Sequence, residues 1–103
     1  GGSDELGEVS AKDLAAKYKA DESGLKGKEV IVTGVTAGGA DFSDYTRIQI
    51  GDKDVKGKVF VYCTLSEKME ITTGDEIKIK GKIDGGDTDG DGNVDLKPCE
   101  VVK

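Results

Sequence analysis

The sequence lacks histidine and tryptophan, and these two absences limit the chemistry that the protein can perform. Histidine is the commonest general base in enzymes and a common metal ligand, so a serine or cysteine nucleophile would have no imidazole to activate it. The two cysteines, Cys63 and Cys99, do not form a Cys-x-x-Cys pair, which argues against redox catalysis. We therefore expect that the protein is not an enzyme.

Aromatic residues and basic runs are also scarce. Three tyrosines and two phenylalanines are few for a surface that stacks nucleotide bases. The 21 acidic residues exceed the 15 basic ones, which gives a formal net charge of -6. Because nucleic-acid binding usually needs a basic patch that replaces counterions on phosphates, we do not expect nucleic acid to be the partner. No apolar run approaches the roughly 20 residues of a membrane-spanning helix.

The length of 103 residues predicts one domain with a single modest core. Residues 1–8 have no hydrophobic periodicity and are predicted to form a flexible lead, followed by a folded domain over residues 9–103. The Gly/Ser-rich start is interpreted as a cloning remnant. The alternative is a tether that follows a lipid-modified cysteine further upstream in the full-length protein.

One helix is predicted over residues 9–19. Ser10 is a favourable N-cap residue, and Asp13 lies three residues later, where its carboxylate can return a bond to the cap. Leu14, Ala15 and Tyr18 form a narrow apolar face at helical spacing. We expect this face to pack on the domain.

Five segments have β-branched or alternating apolar residues, and these patterns predict strands. In the clearest segment, Ile77, Ile79 and Ile83 alternate with charged residues. Gly34 and Gly81 fall inside predicted strands, where a tightly curved sheet needs a bend or a bulge. The predicted strands cover residues 28–36, 45–50, 58–64, 73–84 and 94–102.

This pattern predicts a mainly β protein, a five-stranded OB-fold barrel with one N-terminal α-helix. Closure of a barrel removes the sheet edges that a small all-β chain must otherwise protect. Pro98 lies within the last strand and predicts either an edge position or a bulge there. The residues expected inside are Val30, Val32, Ile48, Ile50, Val59, Val61, Ile77, Ile79, Val94 and Leu96.

Three segments resemble a known family. Residues 13–18 read Asp-Leu-Ala-Ala-Lys-Tyr, residues 26–35 read Lys-Gly-Lys-Glu-Val-Ile-Val-Thr-Gly-Val, and residues 74–83 read Gly-Asp-Glu-Ile-Lys-Ile-Lys-Gly-Lys-Ile. Over about residues 9–102 the chain resembles the tRNA-anti-like OB-fold family of bacterial exported proteins. The resemblance implies an extracytoplasmic protein that is periplasmic, secreted or lipid-anchored. The family name also implies nucleic-acid binding, but this acidic chain lacks what such binding requires.

Cysteines near the third and last strands also recur in that family, and here they correspond to Cys63 and Cys99. The two residues could be buried free thiols or a disulfide. In an OB barrel the strands that carry them are neighbours, and an exported protein would normally oxidise such a pair. We favour the disulfide.

The segment before the last strand is rich in aspartate and glycine, and its spacing resembles a calcium-binding loop. Alternate carboxylates on a tight turn can converge on one hard cation, and Gly92 stands where such loops turn sharply. Pro98 occupies the place of the usual bidentate glutamate, so we expect only weak calcium binding. The alternative is an acidic hairpin turn whose aspartates cap their own backbone. The candidate calcium ligands are Asp87, Asp89, Asp91, Asn93 and Asp95.

Taken together, the sequence predicts a non-catalytic extracytoplasmic binding module whose partner is a protein, a peptide or a glycan. Basic or neutral partners suit the negative surface best. The first alternative is a single-stranded nucleic-acid binder, which would need a basic groove with exposed Phe60, Tyr62 or Tyr45. The second is an enzyme with an unrecognised carboxylate site, although Asp52 and Asp54 are interpreted as turn residues.

Overall fold

A computed structural model describes residues 5–38, 47–67, 72–90 and 92–102. Within these ranges the chain forms six strands and two helices. The strands are β1 (Glu5–Ser10), β2 (Glu29–Gly38), β3 (Arg47–Gly51), β4 (Val61–Leu65), β5 (Glu76–Asp87) and β6 (Asn93–Val101). The helices are α1 (Ala11–Ala20) and α2 (Glu22–Leu25).

Five of the strands close into a barrel, as predicted for an OB fold. β2 pairs antiparallel with β5 along one side and with β3 along the other. β4 pairs antiparallel with β3 and parallel with β6, and β6 returns antiparallel to β5. Each strand of the circuit β2–β3–β4–β6–β5 therefore has a partner on both sides, although β3 reaches only the second half of β2.

A glycine permits the close approach of β2 to β3. A Cβ atom at Gly34 would lie 2.4 Å from the carbonyl oxygen of Gly51 and 2.7 Å from the Cγ2 atom of Ile50. Both distances are far below van der Waals contact, so any other residue would push the two strands apart. The sequence analysis expected a bend or a bulge at Gly34. The structure shows a close approach of two strands there, and the register shift of the β2–β3 pairing lies further along, between Thr36 and Gly38.

The sixth strand, β1, lies outside the barrel circuit. It pairs parallel with the first half of β2, from Glu5 opposite Glu29 to Ser10 opposite Thr33. Residues 5–8, which the sequence analysis assigned to a flexible lead, therefore belong to the sheet, and residues 1–4 lie outside the described residues. β1 gave no sequence signal because Leu6 and Val9 are its only large apolar side chains and they do not alternate.

Helix α1 begins as predicted at the Ser10 cap. The Asp13 backbone N–H donates to Ser10 Oγ at 3.1 Å. The buried face of α1 contacts β2, β3, β4 and β6, so it covers one end of the barrel. No helix among the described residues is long and apolar enough to cross a membrane. The buried side chains of α1 are Ala11, Leu14, Ala15 and Tyr18.

Pro98 lies at a bulge in β6. Leu96 is opposite Cys63 and Cys99 is opposite Leu65, so β6 contains one residue more than β4 over this interval. The pairing with β5 contains the same irregularity. Since β6 lies between β4 and β5, the predicted bulge is correct and the edge position is not.

The core agrees with the predicted set except at two residues. Val59 and Ile77 are only half-buried, and the other eight predicted residues are buried. Phe60 is buried in place of Val59 because β4 begins only at Val61, so the alternation does not extend back to residue 59. Phe60 is held by backbone bonds on both sides, to Ile50 O at 2.9 Å and from Val94 N at 2.9 Å.

Replacement of Ile79 by alanine tests the barrel core. Ile79 is fully buried, so Ile79→Ala should lower the free energy of unfolding by about 2–5 kcal/mol through lost burial and a residual cavity. Ile77→Ala, at the half-buried end of the same strand, is the matched control and should cost clearly less. Denaturant unfolding of both variants measures the difference, and an Ile79→Ala protein as stable as the parent would contradict this core.

Candidate functional site

The outward surface of β3, β4 and β6 carries a group of polar side chains that face away from the core. They alternate along the strands with buried residues, as the period of a strand requires. The register places Arg47 opposite Thr64, Gln49 opposite Tyr62, and Tyr62 beside Asp95. We call these five residues, Arg47, Gln49, Tyr62, Thr64 and Asp95, the β3–β4–β6 face.

The chain's single arginine, Arg47, contacts both Tyr62 and Asp95 on this face. The Arg47 guanidinium carbon lies 4.7 Å above the centroid of the Tyr62 ring, within cation–π distance. Arg47 Nη2 also lies 3.5 Å from Asp95 Oδ1, and the two side chains are 40% and 41% exposed. Each contact is worth only about 0.5–1 kcal/mol at such exposure, and both favour a position of the guanidinium over the ring.

The aromatic residues required by the nucleic-acid alternative are only partly available. Phe60 is buried in the core, and Tyr62 is half-buried beneath Arg47. Tyr45 lies outside the described residues. Tyr18 is buried in the barrel end and donates to Glu22 Oε2 at 3.2 Å, where burial and the Glu22 carboxylate raise the pKa of its phenol. Among the described residues, only Tyr62 could offer part of a ring to a base.

A row of lysines on the outward side of β5 is partly neutralised by neighbouring strands. Lys78 Nζ lies 2.8 Å from Glu8 Oε1 on β1, and Lys80 Nζ lies 3.6 Å from Glu29 Oε1 on β2. Sequence reasoning missed the first pair because it did not recognise β1. The row therefore does not form a basic groove of the kind that phosphates need.

A groove lies on another side of the barrel, where the end of β1 meets the end of β3. It has a volume of about 590 Å³, and its floor is formed by β2 and the start of β5. We call it the β2 groove. Its charged lining is formed by the exposed or half-exposed residues Lys12, Asp13, Asp52, Lys53, Asp54, Glu76 and Lys78.

The carboxylates of the β2 groove are the arrangement on which an enzyme hypothesis would depend. An acid–base pair needs one carboxyl in an apolar, water-excluding environment, but Asp13, Asp54 and Glu76 are exposed. Asp52 Oδ1 accepts the Asp54 backbone N–H at 2.9 Å, which is the turn role expected from the sequence. The groove therefore gives catalysis no positive support.

The acidic loop joins β5 to β6 as a hairpin. Asp87 pairs with Asn93 at its base, Asp89 is exposed, and the Gly92 N–H donates to Asp89 O at 3.0 Å. Asp95 lies beyond the loop on β6, where it pairs with Arg47. Asp91 lies outside the described residues.

The described residues do not bring the predicted calcium ligands together, and the prediction is not tested because Asp91 lies outside them. In the part of the chain that the structure describes, no three acidic, cysteine or histidine side chains are close enough to hold a metal. The Gly90 carbonyl, a potential loop ligand, accepts a hydrogen bond from Lys19 Nζ on α1. Calcium binding by this loop remains a prediction.

If the loop binds calcium, millimolar calcium should raise the melting temperature, because a ligand that binds only the folded state stabilises it. The expected dissociation constant is about 10⁻⁴–10⁻³ M, since one bidentate carboxylate is missing. Asp89→Asn together with Asp91→Asn should abolish the effect, whereas Asp75→Asn, in a turn elsewhere, should not. If millimolar calcium changes neither the melting temperature nor the amide resonances of residues 87–95, the loop is an ordinary acidic turn.

A disulfide joins β4 to β6 beneath the surface of the sheet. Cys63 and Cys99 have Cα atoms 5.9 Å apart and are separated by 36 residues in sequence. Both are buried, and β4 and β6 are neighbouring parallel strands. Gly81 on β5 faces Cys99, and a Cβ atom at Gly81 would lie 2.6 Å from the Cys99 Cβ atom. The glycine thus leaves the space that the bridge occupies.

Loss of this bridge should destabilise the protein by about 3–4 kcal/mol, because the closed loop restricts the unfolded chain. Intact mass before and after reduction and alkylation establishes the oxidised state, and Cys63→Ala with Cys99→Ala measures the stability change. Two alkylated cysteines in protein that was never reduced would contradict the disulfide.

The comparisons with known proteins concern the fold and the family of the chain, not its candidate site. No curated protein matches the chain. A solved structure from Klebsiella pneumoniae, described as a proposed nucleic acid-binding lipoprotein, superposes with a TM-score of 0.52 at 21% identity, over 85% of this chain and 78% of that one. At this identity the likeness shows the fold alone. The model of the tRNA_anti-like family matches residues 3–100, nearly the whole chain, and the protein belongs to that family.

Proposed function

We propose that this protein is a non-catalytic binding module that acts outside the cytoplasm and holds its ligand on the β3–β4–β6 face. The observation that carries the proposal is the position of the Arg47 guanidinium over the Tyr62 ring, with Asp95 beside it. OB folds bind oligonucleotides and oligosaccharides on the surface of the corresponding strands, so the stack lies where a ligand of this fold is expected.

The chemistry of the face suits a neutral, hydrogen-bonding ligand such as a glycan or a peptide. Arg47 and Gln49 supply donors, Asp95 supplies an acceptor, and the Thr64 hydroxyl can do either. Hydrogen-bond donors and acceptors on one surface match the hydroxyl groups of a sugar or the backbone of a peptide. A protein surface presenting such groups would be bound in the same way.

Polyanionic ligands are less well matched. The chain carries a net charge of -6, and Asp95 places a carboxylate within the face itself. Nucleic acid would also require more stacking area than Tyr62 can present beneath Arg47. These features support a partner other than nucleic acid.

Two observations support an extracytoplasmic location. The Cys63–Cys99 disulfide would be maintained in an oxidising compartment and reduced in the cytosol. The Klebsiella pneumoniae relative is described as a lipoprotein. We infer an exported protein, with a lipid anchor upstream in the full-length chain as one form of it.

A single-stranded nucleic-acid binder is the second candidate. Arginine stacked on an aromatic ring is a common element of single-strand binding surfaces, and the Klebsiella pneumoniae relative is described as proposed to bind nucleic acid. Binding of this kind would depend on phosphate contacts and weaken steeply with added salt, which separates it from the main proposal.

Fluorescence anisotropy with labelled single-stranded DNA and RNA discriminates the two candidates. At physiological salt we expect weak or no binding, because the net charge of -6 repels phosphate. Micromolar binding of DNA or RNA that weakens steeply with added salt would instead favour the single-stranded nucleic-acid binder.

The ligand face itself is tested by NMR titration with neutral oligosaccharides and neutral peptides. A ligand of the proposed kind should shift the amides of Tyr62 and Thr64, and Arg47→Ala should remove the shifts. Lys97→Ala, which removes a cation from an exposed position of β6, is the matched control and should leave binding intact. Shifts confined to other surfaces would contradict the proposal.

A further inference from the structure

The β2 groove shares no residue with the β3–β4–β6 face, so it raises a separate question of what it holds. It lies where β1 and β3 meet end to end along β2, with Ser10 opposite Thr33 and Gly51 opposite Val35. Four separate segments contribute to it, namely the β1–α1 junction, β2, the β3–β4 connection and the start of β5. Its volume of about 590 Å³ is typical of sites that hold a drug-sized molecule or a few residues of peptide.

The floor of the groove includes one apolar side chain that remains partly accessible. Val35 on β2 is half-buried and has the outward parity of its strand, whereas Ile77 on β5, opposite Gly34, packs against the core and lines the groove at the rim of the barrel. Ser10 and Thr33 add hydroxyl groups close to this floor. A ligand with an aliphatic part would cover surface that now contacts water, which is favourable.

The charges around the floor favour a cation. Lys78 is held by Glu8 at 2.8 Å, outside the groove, so its charge is already compensated. Among the described residues of the lining, Lys12 and Lys53 are then the remaining cations, and four carboxylates, those of Asp13, Asp52, Asp54 and Glu76, share the lining with them. The net charge of -6 adds a long-range field of the same sign.

The arrangement of the turn supports a preformed site. The Val55 N–H donates to Asp52 O at 3.0 Å, and Asp52 Oδ1 accepts from Asp54 N, so two bonds fix the turn that carries two of the carboxylates. On the opposite wall, the Ser10 cap fixes the start of α1 and thereby Asp13. Little ordering of the backbone is then required when a ligand binds.

We propose that the β2 groove binds a short basic peptide segment in which a lysine or arginine is flanked by aliphatic residues. An aliphatic side chain packs on Val35, and the cation lies among Asp13, Asp54 and Glu76. A simple organic cation would match the charge but would leave Val35 in contact with water. An acidic peptide would be repelled by the negative charge of the carboxylates. This assignment does not depend on the ligand of the β3–β4–β6 face.

Three probes test the assignment in NMR titrations of the intact protein at low salt. They are N-acetylated, C-amidated Leu-Lys-Leu, the matched Leu-Glu-Leu, and N-acetyl-lysine amide. The lysine tripeptide should shift the amides of Val35, Asp54 and Ile77, bind more tightly than N-acetyl-lysine amide, and weaken with added salt. The glutamate tripeptide should leave these amides unchanged.

Charge-matched double variants locate the interaction. Asp54→Asn with Glu76→Gln should weaken binding of the lysine tripeptide by about two- to thirtyfold, the effect of losing two exposed ion pairs. Asp87→Asn with Glu100→Gln removes the same charge at exposed sites outside the groove and should leave affinity nearly unchanged. Absent shifts, equal shifts with both tripeptides, equal affinity for N-acetyl-lysine amide, or equal losses in the two variants would each overturn the proposal.

Discussion

The fold depends on the close approach of β2 to β3 at Gly34. At this point β2 stops pairing with β1 and starts pairing with β3, while its other side stays paired with β5. A side chain at residue 34 would collide with the Gly51 carbonyl and the Ile50 side chain, and would also meet the Ala11 Cβ atom of α1 at 3.4 Å. One missing Cβ atom therefore controls barrel closure and the seating of the helix that covers the barrel end.

The position of β1 follows from the same geometry. β3 reaches only the second half of β2, which leaves the first half with a free edge on that side. β1 occupies this edge in parallel orientation and then passes directly into α1 at Ser10, which is both the last residue of the strand and the cap of the helix. Because the strand and the helix share Ser10, a displacement of β1 would also displace α1, which covers the end of the barrel. The same strand delivers Glu8 to Lys78.

The sequence predicted the parts of the structure that have a strong local period. Ile79 and Ile83 alternate with lysines and are buried, and Ser10 caps a helix whose apolar face is buried. β1 was missed because its two large apolar residues, Leu6 and Val9, do not alternate. The β2 groove could not be predicted, since its lining comes from segments that are distant in sequence and meet only after the barrel closes.

The β3–β4–β6 face likewise combines features that the sequence predicts with features that it does not. Alternation in β3 places Arg47 and Gln49 on the outer side, but nothing in the sequence indicates that Asp95 would lie beside Arg47, because that contact crosses from β3 over β4 to β6. The parallel pairing of β4 with β6 aligns Tyr62 with Asp95, and it is the step of the barrel circuit that local pattern specifies least. Long-range register, rather than composition, thus determines the chemistry of this surface.

The Arg47–Asp95 pair also explains why membership of the fold family does not by itself fix the ligand. A phosphate approaching Arg47 must compete with a carboxylate that is already 3.5 Å away and must accept that carboxylate as a neighbour of like charge. A neutral hydrogen-bonding ligand carries no charge that competes with Asp95 for Arg47, so the pair can stay intact when such a ligand binds. The position of Asp95 on β6 is therefore the feature on which the proposal of an uncharged ligand depends most.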